Sequence, residues 1–176
     1  MFNRNLEAAI NDQIKHELYS AYFYLSMSAW AGAHGYSGSA KWLGKQATEE
    51  QEHAMKFFEH VQDRDGKIVL QAIPQPPAEF TSLLDVFEQV KDHEAKVTSL
   101  ITRLYEIALK EIDYAGQIML QWFINEQVEE EKNAAEILQT LDLLGDSAQG
   151  TFMLNIELGK RKLGVPSDFT AMGGGD

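Results

Sequence analysis

Apolar residues recur at steps of three and four along most of this chain, the spacing that lines them up on one stripe of an α-helix. One such run covers 5–34 and a second covers 38–64, with Gly32, Gly35 and Gly38 marking a turn between them. Pro74, Pro76 and Pro77 interrupt the pattern, so 65–81 cannot be helical throughout. Ser82, with Asp85 three residues on, has the signature of a helix cap and opens a run that continues to Leu144. A single helix of that length would reach roughly 90 Å, too long for a compact domain. A break is therefore expected near Lys110–Asp113, giving helices over 82–110 and 113–144. Asp146, with Gln149 three residues later, reads as the cap of a short fifth helix over 147–162. Residues 1–162 then form one all-α domain, followed by a tail over 163–176 that reads as flexible.

Connection lengths set the topology. Short turns join the first helix to the second and the third to the fourth, so each pair is an antiparallel hairpin. The 65–81 connection reaches up to roughly 56 Å when extended. A helix of about 27 residues is only roughly 40 Å long. The connection can therefore cross the whole bundle and set helices two and three parallel. The expected fold is a four-helix bundle with one long crossover and a short fifth helix.

The core stripes are all interrupted in the same way. They read Ile10, Ile14, Glu17, Ala21, Tyr24, Ser28 in the first helix and Leu43, Ala47, Glu50, Ala54, Phe57, Val61 in the second. The third is Leu83, Phe87, Val90, Glu94, Val97, Ile101, Leu104, Ala108. The fourth is Gly116, Leu120, Phe123, Gln127, Glu130, Ala134, Ile137, Leu141, Leu144. Each carries a Glu near its middle, and His53 follows Glu50 by one turn. Glu17 and His53 lie 18 residues on either side of a turn at residue 35, and Glu94 and Glu130 lie 18 on either side of residue 112. Antiparallel packing thus brings all of them to one height. The two halves also align at an offset of 77, which pairs Glu17 with Glu94, Glu49 with Glu126, Glu50 with Gln127, Glu52 with Glu129 and His53 with Glu130. This is the pattern of a duplicated helical hairpin.

One Glu on an apolar seam is ordinarily a boundary residue that snorkels to water. Four at one level are a different matter, because buried ionised carboxylates need partners and repel one another. No seam position is Lys or Arg, so bound cations are the direct way to neutralise them. The composition agrees. With 27 acidic and 15 basic residues the formal charge is −12, which argues against nucleic-acid binding. Cys is absent, which excludes disulfides, iron–sulfur clusters and thiolate zinc sites. No apolar run approaches the length of a membrane span and the start has no signal-like core, so a cytoplasmic protein is expected.

An oxygen-rich donor set with one imidazole suits iron or manganese. Di-iron carboxylate bundles use a Glu from each of two helices and Glu-x-x-His from each of the other two. Glu50-x-x-His53 meets that pattern, whereas the fourth helix offers Gln127-x-x-Glu130. The two metal positions are then unequal: Glu17, Glu50 and His53 at one, Glu94 and Glu130 at the other. Glu50 can bridge them, and Gln127 is a weak or indirect contact. A looser second position suits Fe(II) that is oxidised in transit, in preference to a permanent cofactor oxygenating an organic substrate.

Across almost its whole length the sequence resembles the bacterial non-haem ferritins, on Glu17, Tyr24, Glu49-Glu50 with His53, Glu94, and the segment Glu126-Gln127-Val128-Glu129-Glu130. The resemblance implies oxidation of Fe(II) by oxygen or hydrogen peroxide at the paired site. It also implies storage of the ferric mineral inside a hollow homo-oligomer of 24 copies. It implies a third iron site from Glu49, Glu126 and Glu129, although a run such as Glu129-Glu130-Glu131 equally suits a solvated helix face. Tyr24 reads two ways, as a core tyrosine or, by the resemblance, as a redox-active electron donor. The chain departs from the haem-binding bacterioferritins, whose second hairpin also carries Glu-x-x-His, so no haem is expected. It departs from rubrerythrins in lacking Cys, and from DNA-protecting mini-ferritins in carrying all its ligands within one bundle together with a fifth helix. The apolar segment 152–158 lies beyond the four-helix core and calls for a neighbouring chain. His16, His34, His60 and His93 lack ligand spacing and read as surface or boundary residues. Trp30, Trp42 and Trp122 read as packing or subunit contacts.

Overall fold

A computed structural model describes residues 3–161; the 163–176 tail lies outside the described residues. Five helices follow one another: α1 Arg4–Ala33, α2 Ser37–Gln62, α3 Leu83–Lys110, α4 Tyr114–Leu144 and α5 Ala148–Leu158. Among the described residues none is long and apolar enough to cross a membrane. The helix starts follow capping chemistry. Asn3 accepts from the Asn5 and Leu6 amides, and Ser82 from the Asp85 amide, as its spacing predicts. Asp113 accepts from the Gly116 amide. At α5 the cap is Ser147, not Asp146: the serine hydroxyl accepts from the Gly150 amide. The fifth helix also stops at Leu158, short of the expected 162.

Three of the helices end alike; after α2, Gly66 N–H reaches back to Val61 carbonyl oxygen at 2.9 Å, with Asp65 at φ 54°. After α1, Tyr36 N–H reaches back to Ala31 carbonyl oxygen at 2.9 Å, and Gly35 takes the left-handed conformation at φ 85°. After α3, Asp113 N–H reaches Ala108 carbonyl oxygen at 2.9 Å, and Ile112 occupies the corresponding position at φ 54°. Ile112 has no glycine freedom there, which explains why the break carries no strong signal in the sequence.

Side-chain contacts set the helix directions. Asn3 beside Glu111 and Ser20 beside His93 run α1 antiparallel to α3. Ser28 bonded to Ala40 carbonyl oxygen shows the turn that makes α1 antiparallel to α2. Helices α2 and α3 are therefore parallel, and the crossover runs along the outside of α1. Asn11 binds the backbone of Lys67 and Val69 at 2.9 and 2.7 Å, Lys15 reaches Gln71 at 3.1 Å, and the Ser26 hydroxyl donates to Pro77 carbonyl oxygen. Arg64 pairs both guanidinium arms with Asp113 at 2.7 Å, tying the end of α2 to the start of α4.

The apolar core is divided in two. One cluster joins Phe23, Met27, Leu43, Phe87, Val90, Ala134 and their neighbours. The other joins Leu6, Ile10, Ile14, Phe57, Val97, Ile101, Leu120 and Phe123. The seams predicted from spacing are buried except at their ends, where Ser28 and Leu144 are half-buried. Helix α5 closes the bundle end through Asn155, whose Oδ1 accepts from the Gly38 and Ser39 amides at 3.0 and 2.9 Å. Tyr36 provides no side-chain cap for α2, so Asn155 caps that helix from 117 residues away.

Gly38 makes this contact possible: a Cβ there would lie 1.6 Å from the Asn155 carbonyl oxygen. Gly38→Ala is accordingly expected to lower stability by about 1–3 kcal/mol, despite alanine's better helix propensity. Thermal unfolding read by circular dichroism checks this, with Gly44→Ala, where a Cβ would meet the Ser28 hydroxyl at 3.5 Å, as the tolerated comparison.

Candidate metal centre

The gap between the two apolar clusters is filled by acid. Glu17, Glu50 and Glu94 each expose 1% of their surface and Glu130 4%. His53 is buried beside them, its ring edge-on to Trp122 and Phe123 at centroid distances of 5.5 and 5.6 Å. One donor atom each from Glu17, Glu50 and His53 fall within 4.8 Å of one another, a group that could hold a metal ion. Among the described residues no other set of three does so. His53 Nδ1 and Glu50 Oε2 are 3.6 Å apart, too far for a hydrogen bond.

The polar atoms here are largely unspoken for. Glu17 Oε2, both Glu50 oxygens, Glu94 Oε2 and His53 Nε2 are buried without a hydrogen-bond partner. Leaving such groups unpaired costs about 1–3 kcal/mol apiece, and more if charged. They are the donor set a hard or borderline cation requires, so the residues fit iron. The remaining oxygens are held in place. Gln13 donates to Glu17 Oε1 at 2.8 Å, and the Tyr24 hydroxyl donates to Glu94 Oε1. Tyr24 is fully buried and packs edge-on against Trp42. Gln127 is buried with its carbonyl oxygen 3.0 Å from the Thr98 hydroxyl.

Burial, followed by the charge of Glu50, lifts the Glu17 pKa to about 8. Burial, followed by the charge of Glu130, does the same to Glu50, also to about 8. Glu94 is raised well above the carboxylate range by burial and then by Glu50 and Glu130. Glu130 is raised chiefly by burial, offset in part by Gln46 and Arg161. A cation bound here would replace the protons that these shifts retain.

This geometry sits within a recognisable family. The ferritin-like domain matches residues 7–144. The chain belongs to that family. It is 38% identical over 159 residues to a probable bacterial non-heme ferritin-like protein of Haemophilus influenzae, covering 90% of this chain and 96% of that one. It is 35% identical to a bacterial non-heme ferritin of Campylobacter jejuni, covering 92% and 100%. Among solved structures, an open pore ferritin from the archaeon Archaeoglobus fulgidus superposes with a TM-score of 0.91 at 41% identity, over 92% of this chain and 100% of that one.

The three acids assigned by resemblance to a third site are differently placed. Glu49 is buried, Glu126 half-buried and Glu129 exposed. Burial and the charges of Glu129 and Glu49 raise the Glu126 pKa, against His53 and Lys56, which lower it. Glu49 carries an ion pair that spacing did not reveal, to Arg161 Nη2 at 2.8 Å. Among the described residues the four central acids have no such bridge, so the absence of Lys and Arg from the seams describes the centre but not its edge. Gln13 was also missed, although it stands four residues before Glu17 on the same helix face.

Because their folded pKa values lie above the ordinary 4.5, Glu17 and Glu50 favour the fold fully below that value. Their contribution is lost as pH rises through about 8. The metal-free protein is expected to melt lower at pH 8.5 than at pH 6. Glu50→Gln should flatten this dependence, and a divalent cation should abolish it; scanning calorimetry across that range is the check.

Proposed function

We propose that this protein is an iron-storage ferroxidase of the cytoplasm. In this reading Fe(II) is the substrate and binds at two positions. Glu17, Glu50 and His53 hold one ion, Glu94 and Glu130 hold the other, Glu50 bridges, and Gln127 contacts the second indirectly. The observation that carries it is the set of buried acid and imidazole atoms with no partner of their own. Each Fe(II) arriving displaces protons retained by the carboxylates, so cation charge is exchanged for proton charge and the layer stays close to neutral as it loads.

Two Fe(II) give up one electron each. Dioxygen takes the pair with two protons to become hydrogen peroxide, or peroxide takes it with two protons to become two waters. The site's role is to hold both irons side by side, because the oxidant accepts electrons in pairs. Tyr24 orients Glu94 through its hydrogen bond, and where only one Fe(II) is bound its phenol would supply the second electron of the pair. The second position lacks an imidazole, holds its ion less firmly and releases the ferric product. The product then collects as mineral within a hollow homo-oligomer of 24 chains. Exposed Phe152, Met153 and Ile156 on α5 support association between copies.

Aerobic titration of the metal-free protein with Fe(II), followed by ferric absorbance and size-exclusion chromatography, tests this. A fast phase at a few irons per chain should precede slower mineral growth in a large shell. Glu50→Ala and His53→Ala should each slow the fast phase about 10- to 100-fold while the shell still forms. Wild-type rates in both variants would defeat the assignment.

A further inference from the structure

Two oxygens converge on one hydroxyl between α3 and α4. The Thr98 hydroxyl lies 2.6 Å from Glu131 Oε1 and 3.0 Å from the carbonyl oxygen of Gln127. A threonine carries a single hydroxyl hydrogen, so it donates to one of them at a time. The carboxylate is the closer acceptor and the stronger one, because a charge-assisted bond outweighs a neutral one. Gln127 then presents a lone pair to a lone pair, while exposing only 2% of its surface. A half-turn about the last bond of its side chain relieves this, and that torsion is soft. It brings the amide nitrogen to Thr98, whose oxygen accepts from it, and sends the carbonyl oxygen to the opposite side.

The opposite side is the acidic layer. Thr98 stands half-buried one turn beyond Glu94 on α3, and Glu131 stands exposed one turn beyond Gln127 on α4. A pocket of about 100 Å³ opens over them, lined also by Ile101, Thr102 and Val128. Thr98 and Glu131 thus hold the outer face of Gln127, whose inner face adjoins Glu94 and Glu130.

The first hairpin shows what this pair is for. At the offset of 77 residues Gln127 corresponds to Glu50, and Thr98 and Glu131 correspond to Ala21 and Ala54. A carboxylate has two like oxygens and needs no turning. A carboxamide has one oxygen and one nitrogen, and only the oxygen can face a cation. The half with the amide carries the two polar residues, and the half with the carboxylate has methyl groups in their place.

We propose that Glu131 and Thr98 are positioning residues that hold Gln127 with its carbonyl oxygen turned toward the second metal position. Neither touches the ion. Glu131 takes the Thr98 hydrogen and Thr98 takes one from the Gln127 amide, so the direction of this chain fixes which end of the amide the ion meets. The inference rests on the two-position reading proposed above and adds what readies the weaker position.

The test titrates Zn2+ alone, a redox-inert probe, into the assembled, metal-free protein and reads both affinities by calorimetry. Thr98→Val keeps the shape and removes the hydroxyl; it should weaken the second ion about 10-fold and leave the first unchanged. Thr98→Ser should bind as wild type does. Glu131→Ala frees the Thr98 hydrogen to return to the Gln127 oxygen, and should also weaken the second ion about 10-fold. The two losses combined should cost no more than either alone, since both break one chain. In a Gln127→Glu background, where the two ends are alike, Thr98→Val should lose its effect. Wild-type affinity in Thr98→Val, equal weakening of both ions, or additive losses in the double variant would each overturn this inference and leave the two-position centre standing. Fewer than two tight ions in wild type would overturn the two-position reading together with it.

Discussion

Desolvation of carboxylate governs this molecule. Four helices are built so that apolar residues pack above and below, and at one height each presents an acid to the others. Water cannot reach these groups, and among the described residues no lysine or arginine bridges the four central ones. The protein holds them in two ways, by keeping protons on them and by fixing one oxygen of Glu17 and of Glu94 with a neutral donor. Gln13 and Tyr24 are donors of that kind, orienting an acid without discharging it. The energy not spent on pairing these groups internally remains available for a cation.

The helix directions follow from the same requirement. Glu17 and Glu94 meet only if α1 and α3 oppose one another, and Glu50 joins them only if α2 returns alongside α1. The long crossover makes this arrangement possible by running outside α1, where Asn11 satisfies its backbone. The duplicated hairpin supplies the acids twice, yet the copies are not equal. An imidazole stands in one half where the other has a carboxylate, so the two halves offer different donors.

Much of this was legible in the chain because it is periodic. Helical spacing and turn distances place Glu17, Glu50, His53, Glu94 and Glu130 on facing stripes at one height, and those positions need no knowledge of distant contacts. What spacing could not supply depends on side chains meeting across the fold. Asn155 capping α2 and Arg161 reaching Glu49 and Gln46 join segments more than a hundred residues apart, and neither has a local pattern to announce it. Spacing points to Asp146 as the α5 cap, one residue short of Ser147, because both are competent cap residues. The α3–α4 break was hard to place for the opposite reason, since Ile112 bends where glycine would be expected.

The divided core has a mechanical consequence. Each apolar half grips all four helices, but the layer between them contributes little cohesion until its charges are balanced. A cation bound by acids from several helices in that layer would tie the lower and upper halves together. Emptying it leaves a seam of weakness across the waist of the bundle. Occupancy of the layer and stiffness of the bundle would then rise and fall together.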